Sequence, residues 1–230
     1  MPAVNSSRIY LRKVNAAFAA GVSKGDYVLD AGAGEQPYAD LFDHAVYESA
    51  DFTKVESKTY APQTYVCDLA QIPVDDGRFD HVVLNQVLEH VPDPIVILTE
   101  LRRVLKPGGR IICTCPLYYE EHEQPYDFFR YTQFAHQMMF AKSGFEVKSI
   151  DWLEGYFGTV SYQLKGIARN LPVWPASDAG FFMRLRHACI LYFARSAARL
   201  LTGPMARLDV ALKYEDKGYP KNYVVIAEAI

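Results

Sequence analysis

The sequence predicts an α/β fold built on a mostly parallel β-sheet. Apolar stretches of strand length alternate along the chain with segments of helical periodicity. One of these stretches, residues 79–84, is apolar enough to be buried on both faces, as strands of parallel sheets are. Half of the 230 residues are hydrophobic, which is enough for a sizeable core. We therefore expect a single domain over residues 1–230 that carries one insertion.

The elements follow one another in a regular order. The predicted strands cover residues 27–30, 45–50, 64–67, 79–84, 110–115, 145–153 and 223–229. The predicted helices cover residues 7–20, a short stretch at 38–42, a segment from Asp93-Pro94 to the Lys-Pro-Gly-Gly run at 106–109, and residues 132–144. Asp93 is a favourable N-cap residue, and Pro94 fits the first helical position.

Residues 155–207 interrupt this alternation. They hold seven Lys or Arg residues against one acidic residue, although the whole chain has a net charge of −3. The segment predicts a helical insertion at 155–215, with one helix over 181–201. Arginines interrupt that helix, which argues against a membrane-spanning segment. Three roles stay open: a lid over an acceptor pocket, a surface that contacts an anionic membrane, or a homodimer contact.

Composition excludes several other function classes. The net charge gives no general attraction to nucleic acid. The four cysteines (Cys67, Cys113, Cys115 and Cys189) form neither a metal-binding pattern nor an evident disulfide framework. The first residues contain no long apolar run of the secretory kind. We therefore expect a cytoplasmic protein, with membrane association open, that has no metal site and no nucleic-acid partner.

A glycine turn follows the first predicted strand. Gly32 and Gly34 would let a ligand approach the backbone closely, because no Cβ intervenes. A dinucleotide fingerprint needs a third glycine at position 37, where this chain has Pro37. Proline also lacks the N–H that would bind a pyrophosphate at a helix start. The turn therefore favours a ligand without phosphates, such as S-adenosylmethionine, over a nicotinamide dinucleotide.

Several stretches in order resemble a known family. VLDAGAG at 28–34, the run at 68–73, FDHVVLNQVLEHVPDP at 79–94 and LRRVLKPGGRIICTCP at 101–116 are similar to the class I methyltransferases of the type 11 subfamily. The resemblance covers roughly residues 25–150. It implies S-adenosylmethionine as cofactor and a Rossmann-like sheet of seven strands, the last antiparallel, with the helical insertion before that strand.

The resemblance also implies roles for residues that follow the strands. Asp30 would hold the amino group of the cofactor, and Gly32 and Gly34 would let its methionine part lie on the backbone. Asn85 would face the sulfonium.

The other end of the cofactor would lie against two further strands. Asp51 would accept both ribose hydroxyls, as a carboxylate can. Asp68 would bind the adenine amino group, with the Leu69 backbone beside it.

The acceptor would lie against the loop that follows the fifth strand. Its H-x-x-P-Y-D-F-F-R-Y-T pattern, which begins at His122, resembles a branch of type 11 enzymes associated with sugar and polysaccharide modification. Histidine is the side chain that most often serves as a general base, and His122 is the predicted one here. His90 is interpreted as a structural residue beside the site. The predicted substrate-binding residues are Tyr118, Tyr119, His122, Asp127, Arg130 and Tyr131.

The sequence therefore predicts methyl transfer to a small molecule, with an oxygen of a sugar, glycan or lipid-linked intermediate as the favoured acceptor. Three alternatives stay open. The chain could bind the cofactor without chemistry as a partner subunit, it could methylate nitrogen or carbon of another metabolite, or it could be a nicotinamide oxidoreductase.

Overall fold

The computed structural model describes residues 4–56, 58–174 and 180–230. These residues form two compact units. The larger unit comprises Tyr10–Leu153 and Asn222–Ile230, and the smaller one comprises the described residues of 4–9 and 154–221.

The larger unit is built on one seven-stranded sheet. Its strands are β1 (Tyr27–Ala31), β2 (Val46–Asp51), β3 (Tyr65–Val66), β4 (Phe79–Asn85), β5 (Leu105–Pro116), β6 (Phe145–Trp152) and β7 (Asn222–Ala229). Their order across the sheet is β3-β2-β1-β4-β5-β7-β6. The pairs from β3 to β5 are parallel, and β7 runs antiparallel to both β5 and β6. The predicted Rossmann-like sheet with an antiparallel last strand is confirmed.

Helices cover the sheet and bury an apolar core. They are α1 (Ser6–Ala19), α2 (Pro94–Val104) and α3 (Gln133–Lys142). The Asp93 side chain caps α2 by accepting a hydrogen bond from the Val96 N–H, and Pro94 stands at its start, as the sequence predicted. Thr132 caps α3 in the same way, from the Ala135 N–H. Each cap satisfies a backbone donor that the first turn of a helix leaves unpaired.

Three predicted boundaries were wrong. The predicted helix at 38–42 is a single 3₁₀ turn, Ala39–Phe42. The fifth strand begins at Leu105, before the Lys-Pro-Gly-Gly run, because Leu105 pairs with Phe79 beyond an irregularity in the ladder. The helix predicted at 181–201 continues to Leu212 and contains Pro204.

The smaller unit contains α4 (Tyr156–Asn170) and α5 (Phe181–Leu212), which pack along one another. It extends over most of the segment predicted as the insertion. Its interior holds a polar cluster in which Ser7 Oγ donates to Glu154 Oε1 at 2.6 Å and Lys221 Nζ donates to Ser7 Oγ at 3.1 Å. Hydrogen bonds of this kind offset the cost of burying polar groups.

No helix in the described ranges is both long enough and apolar enough to cross a bilayer.

A buried histidine in α3 makes stability depend on pH. The His136 ring is fully buried beside the rings of Tyr131 and Tyr223, and neither ring nitrogen has a hydrogen-bond partner among the described residues. Burial lowers the pKa of His136 to about 4, from an ordinary value of 6.5. The unfolded chain therefore takes up a proton at a higher pH than the folded chain does. The folded state loses stability as pH falls from about 6.5 toward 4.

We expect His136→Phe to remove this loss, because phenylalanine keeps the ring and cannot be protonated. We compare the free energy of unfolding of the variant with that of wild type at each pH. This difference should favour the variant by about 1 to 2 kcal/mol more at pH 5 than at pH 7.5. Urea unfolding at both pH values measures this, with His44→Phe at an exposed position as control. An unchanged pH dependence in His136→Phe would contradict the prediction.

Candidate functional site

A cavity of about 300 Å³ opens at the carboxyl ends of β1, β2 and β4 in the larger unit. This is the edge of the sheet at which ligands bind in open α/β folds. The cavity is lined by Gly32, Asp51, Phe52, Lys54, Val55, Lys58, Asp68, Leu69, Gln86, Val87, His90, Val91, Pro92, Glu123, Tyr126 and Phe128. Four of the predicted cofactor-binding residues are thus together at this cavity: Gly32, Asp51, Asp68 and Leu69.

The glycine turn brings bare backbone to the cavity. Gly32 has a φ of +73°, and a Cβ built there would lie 2.4 Å from Val87 Cγ2. Only glycine fits this position without displacing Val87. The turn is followed by the single 3₁₀ turn at Ala39–Phe42 rather than by an α-helix. A phosphate-binding helix N-terminus is therefore lacking at this turn, which agrees with the argument from Pro37.

Asp51 connects two of the turns that surround the cavity. Its Oδ2 accepts a hydrogen bond from Gly34 N at 3.0 Å, and its Oδ1 accepts one from Thr53 N at 2.9 Å. The side chain is largely buried but lines the cavity. A carboxylate offers about four acceptor positions, so roughly two remain for ligand hydroxyls.

The cavity lining also combines polar and aromatic groups. Asp68 is exposed, and its Oδ1 accepts a hydrogen bond from Ala70 N at 2.9 Å. The rings of Phe52 and Tyr126 meet edge to face with centroids 5.5 Å apart. Together they form an aromatic wall suited to a flat heterocycle.

The side chains of Asp30 and Asn85 form hydrogen bonds with other protein side chains, and neither residue lines the cavity. Tyr47 Oη donates to Asp30 Oδ2 at 2.6 Å. Burial is the main cause that raises the pKa of Asp30 to about 6. Asn85 Nδ2 donates to Asn15 Oδ1 at 2.9 Å. Their predicted contacts with the cofactor stay predictions.

In the acceptor loop, three of the predicted residues form a connected group. Arg130 donates to both oxygens of Asp127, at 2.6 and 2.8 Å, and Asp127 Oδ2 accepts a hydrogen bond from the His122 N–H at 2.8 Å. Arg130 is the main cause that holds the pKa of Asp127 far below its ordinary value. His122 Nδ1 lies 3.1 Å from Glu120 O and 3.3 Å from Asp127 Oδ2. The loop therefore fixes the orientation of the His122 imidazole.

The tyrosines of the loop differ in their surroundings. Tyr119 is partly exposed, and its ring centroid lies 4.8 Å from that of His122. Tyr118 is exposed. Tyr131 is buried, and its hydroxyl donates to Leu88 O at 3.0 Å. The loop residues that line the cavity are instead Glu123, Tyr126 and Phe128. Contact of the predicted tyrosines with an acceptor stays a prediction.

Two residues near the cavity received no functional role from the sequence: Glu89, and His90, which lines the cavity. Glu89 is fully buried, and neither carboxyl oxygen has a hydrogen-bond partner among the described residues. Burial raises its pKa to about 8 and lowers the pKa of His90. The rings of His90 and His122 lie 4.7 Å apart between centroids. The available signal was an acidic residue directly after the apolar pair Val87 and Leu88.

Four turns at this edge of the sheet contain non-glycine residues with positive φ. They follow β1, β2, β4 and β5, and the residues are Gln36, Thr53, Gln86 and Glu123, with φ of 56°, 54°, 57° and 53°. Such conformations are uncommon for non-glycine residues and often accompany functional sites. Gln86 and Glu123 also line the cavity.

Comparison with known proteins agrees with this geometry. Residues 29–113 match the family described as "Methyltransferase domain". Demethylmenaquinone methyltransferase of Bacillus subtilis (strain 168) is 34% identical over 87 residues, 36% of this chain and 36% of that protein. The chain therefore spans about a third of the length of this curated relative.

Solved structures share the fold at low sequence identity. A methyltransferase from Archaeoglobus fulgidus, described as SAM-dependent, has a TM-score of 0.55 at 15% identity, over 96% of this chain and 94% of its own. The 1,6-didemethyltoxoflavin-N1-methyltransferase of Burkholderia thailandensis has a TM-score of 0.52 at 18% identity, over 63% of this chain and 71% of its own.

These matches and the strand order agree with the family that the motifs resemble. Residues 29–113 match the methyltransferase domain family, and the solved structures share the fold of SAM-dependent methyltransferases.

Proposed function

We propose that this protein transfers the methyl group of S-adenosylmethionine to a hydroxyl of a small molecule. The observation that carries the proposal is the cavity at the carboxyl ends of β1, β2 and β4, where Gly32, Asp51 and Asp68 meet. These residues suit a ligand with a ribose and an adenine and without phosphates. The neighbour from Burkholderia thailandensis is described with bound S-adenosylhomocysteine, the demethylated form of the same cofactor.

The proposed cofactor position follows from the lining of the cavity. The free acceptor positions of Asp51 take the ribose hydroxyls, and Asp68 takes the adenine amino group, beside Leu69. The rings of Phe52 and Tyr126 pack against the adenine. Asp30 and Asn85 act at the methionine end after their side chains leave Tyr47 and Asn15, the partners that they have here.

The acceptor lies beside His90, Glu123 and Phe128, which line the cavity. His122 takes the hydroxyl proton in the simplest form of the mechanism. Its Nδ1 faces acceptors on Glu120 and Asp127, which leaves Nε2 as the basic atom. A hydroxyl of a sugar, glycan or lipid-linked intermediate is our favoured acceptor. Transfer to carbon or nitrogen, and cofactor binding without chemistry, are the alternatives.

The donor is tested by calorimetry with S-adenosylmethionine and with NAD. We expect S-adenosylmethionine to bind and NAD not to bind. Asp51→Asn should weaken binding about ten- to hundredfold, because it removes a charged acceptor of two hydroxyls. Asp43→Asn, at an exposed position away from the cavity, should bind as wild type does. Preferential binding of NAD would refute the assignment of the donor.

The catalytic step is tested by formation of S-adenosylhomocysteine with a panel of monosaccharides and lipid-linked sugars. We expect His122→Ala to lower turnover about 10²- to 10⁴-fold. Its affinity for S-adenosylmethionine should stay unchanged, because His122 does not line the cavity. His44→Ala serves as control. Equal turnover in His122→Ala and wild type would remove His122 from the mechanism.

We also propose that α5 contacts an anionic membrane surface. The helix exposes a large set of apolar side chains: Phe181, Phe182, Met183, Leu185, Ile190, Tyr192, Phe193, Leu200, Leu201, Leu208 and Leu212. It also carries five arginines against one aspartate. Exposed aromatic side chains beside arginines are typical of helices that lie in the interface of anionic membranes. Such a contact would bring a lipid-linked acceptor close to the enzyme.

The membrane contact is tested by co-sedimentation with vesicles of phosphatidylglycerol and phosphatidylcholine at low salt. We expect binding that weakens as salt is raised, since salt screens the arginines. Phe182→Ser with Arg186→Glu should reduce it at least about tenfold. Phe134→Ser, which removes an equally exposed ring from α3, should not. If wild type does not sediment, or dimerises through Phe182 in ultracentrifugation, the surface serves another partner.

A further inference from the structure

Three potential metal ligands converge beside the cavity. Glu89, His90 and His122 each offer one ligand atom, and these atoms lie within 4.8 Å of one another. Glu89 and His90 belong to a 3₁₀ turn after β4, Leu88–His90, whereas His122 lies in the loop after β5. Two turns at the same edge of the sheet thus bring together groups that are distant in sequence.

Glu89 is the most unusual member of this group. Its side chain is fully inaccessible, and neither oxygen accepts a hydrogen bond from any described residue. Buried carboxyl groups are costly without a partner, so each such group requires an explanation. His90 Nε2 lies 3.9 Å from Glu89 Oε1, beyond hydrogen-bond distance. A positive charge between these atoms would supply the missing partner.

Both histidines are oriented as metal ligands usually are. His90 Nδ1 donates to Tyr126 O at 2.6 Å. His122 Nδ1 faces Glu120 O at 3.1 Å and Asp127 Oδ2 at 3.3 Å. A ring whose Nδ1–H donates to a carbonyl or carboxylate presents the lone pair of Nε2. Arg130 in turn holds Asp127 in place, so the supporting groups of His122 are themselves fixed.

We propose that this protein binds one divalent transition-metal ion through the Glu89 carboxylate and the Nε2 atoms of His90 and His122. Two imidazoles and one carboxylate suit Zn²⁺, Fe²⁺ or Co²⁺ better than Mg²⁺ or Ca²⁺, which prefer oxygen ligands. Ligand atoms in a formed site lie about 3 to 3.5 Å apart, so small side-chain rotations close the present arrangement. The three protein ligands leave a coordination position for an acceptor oxygen.

The metal site adds a catalytic step to the proposed function and rests on that function. With the metal bound, His122 is a metal ligand and no longer the proton acceptor. The cation would polarise the acceptor hydroxyl and favour loss of its proton. Glu123, whose Oε2 lies 3.7 Å from His90 Nε2, would receive that proton. The oxygen then forms its bond to the methyl carbon, the carbon–sulfur bond breaks, and its electron pair returns to sulfur, which leaves as the neutral thioether.

The test measures metal binding without reference to activity. The 230-residue chain is treated with a chelator, dialysed, and titrated with Co²⁺, whose visible absorption reports nitrogen and oxygen coordination. Zn²⁺ is then titrated by calorimetry. We expect one equivalent of Co²⁺ to bind with its ligand-field bands and one equivalent of Zn²⁺ to displace it.

Variants locate the site. His122→Ala changes a partly exposed loop residue that can be removed without disturbing the core, and Glu89→Gln keeps the shape of the buried side chain. Each should weaken Co²⁺ binding at least about tenfold, whereas His44→Ala should bind as wild type does. Circular dichroism and thermal unfolding verify that each variant is folded.

Two results would overturn the metal site: wild type shows no ligand-field bands, or both folded variants bind Co²⁺ as strongly as wild type does. Cofactor binding and turnover are measured separately, with and without chelator. If turnover persists in chelator and no metal binds, the metal site fails and the proposed function stands. If metal binds to the three ligands and S-adenosylmethionine does not bind, the proposed function fails and the metal site stands.

Discussion

The Asp51 carboxylate holds the candidate site together. One oxygen accepts the N–H of Gly34, after β1, and the other accepts the N–H of Thr53, after β2. Two turns that would otherwise move separately are thereby fixed relative to one another, and charged hydrogen bonds of this kind are about twice as strong as neutral ones. The Asp51 side chain lines the cavity, and its carboxylate still has hydrogen-bond acceptor positions for a ligand. Structure and recognition depend here on the same carboxylate.

A second carboxylate supports the acceptor loop. Asp127 pairs with Arg130 and accepts the His122 N–H, so the acceptor loop carries its own internal support. Glu89 is buried next to this loop, and neither of its carboxyl oxygens has a hydrogen-bond partner among the described residues. Most polar groups of the site are thus oriented before any ligand binds, which lowers the cost of binding. The unpaired Glu89 is the exception.

Much of the architecture followed from local patterns. The alternation of apolar strands and helices predicted the sheet, and the residues after β1, β2 and β3 predicted the cavity edge, because parallel strands end at the same edge. The sequence shows an acidic residue before His90 but could not indicate that it is buried, since its surroundings include the loop after β5, which lies far along the chain. The predicted boundaries of strands and helices were wrong where tertiary packing overrides local sequence signals. Leu105 joins a strand before a Pro-Gly run, and α5 continues through Pro204.

The strained turns have a consequence for how this sequence can diverge. At Gln36, Thr53, Gln86 and Glu123 the backbone has positive φ, a region that glycine, asparagine and aspartate tolerate far better than β-branched residues do. Over generations, accepted replacements at these positions should be filtered first by backbone geometry and only then by side-chain chemistry. Lineages with a different acceptor could therefore exchange the side chains of these turns while they retain residues compatible with the same backbone path.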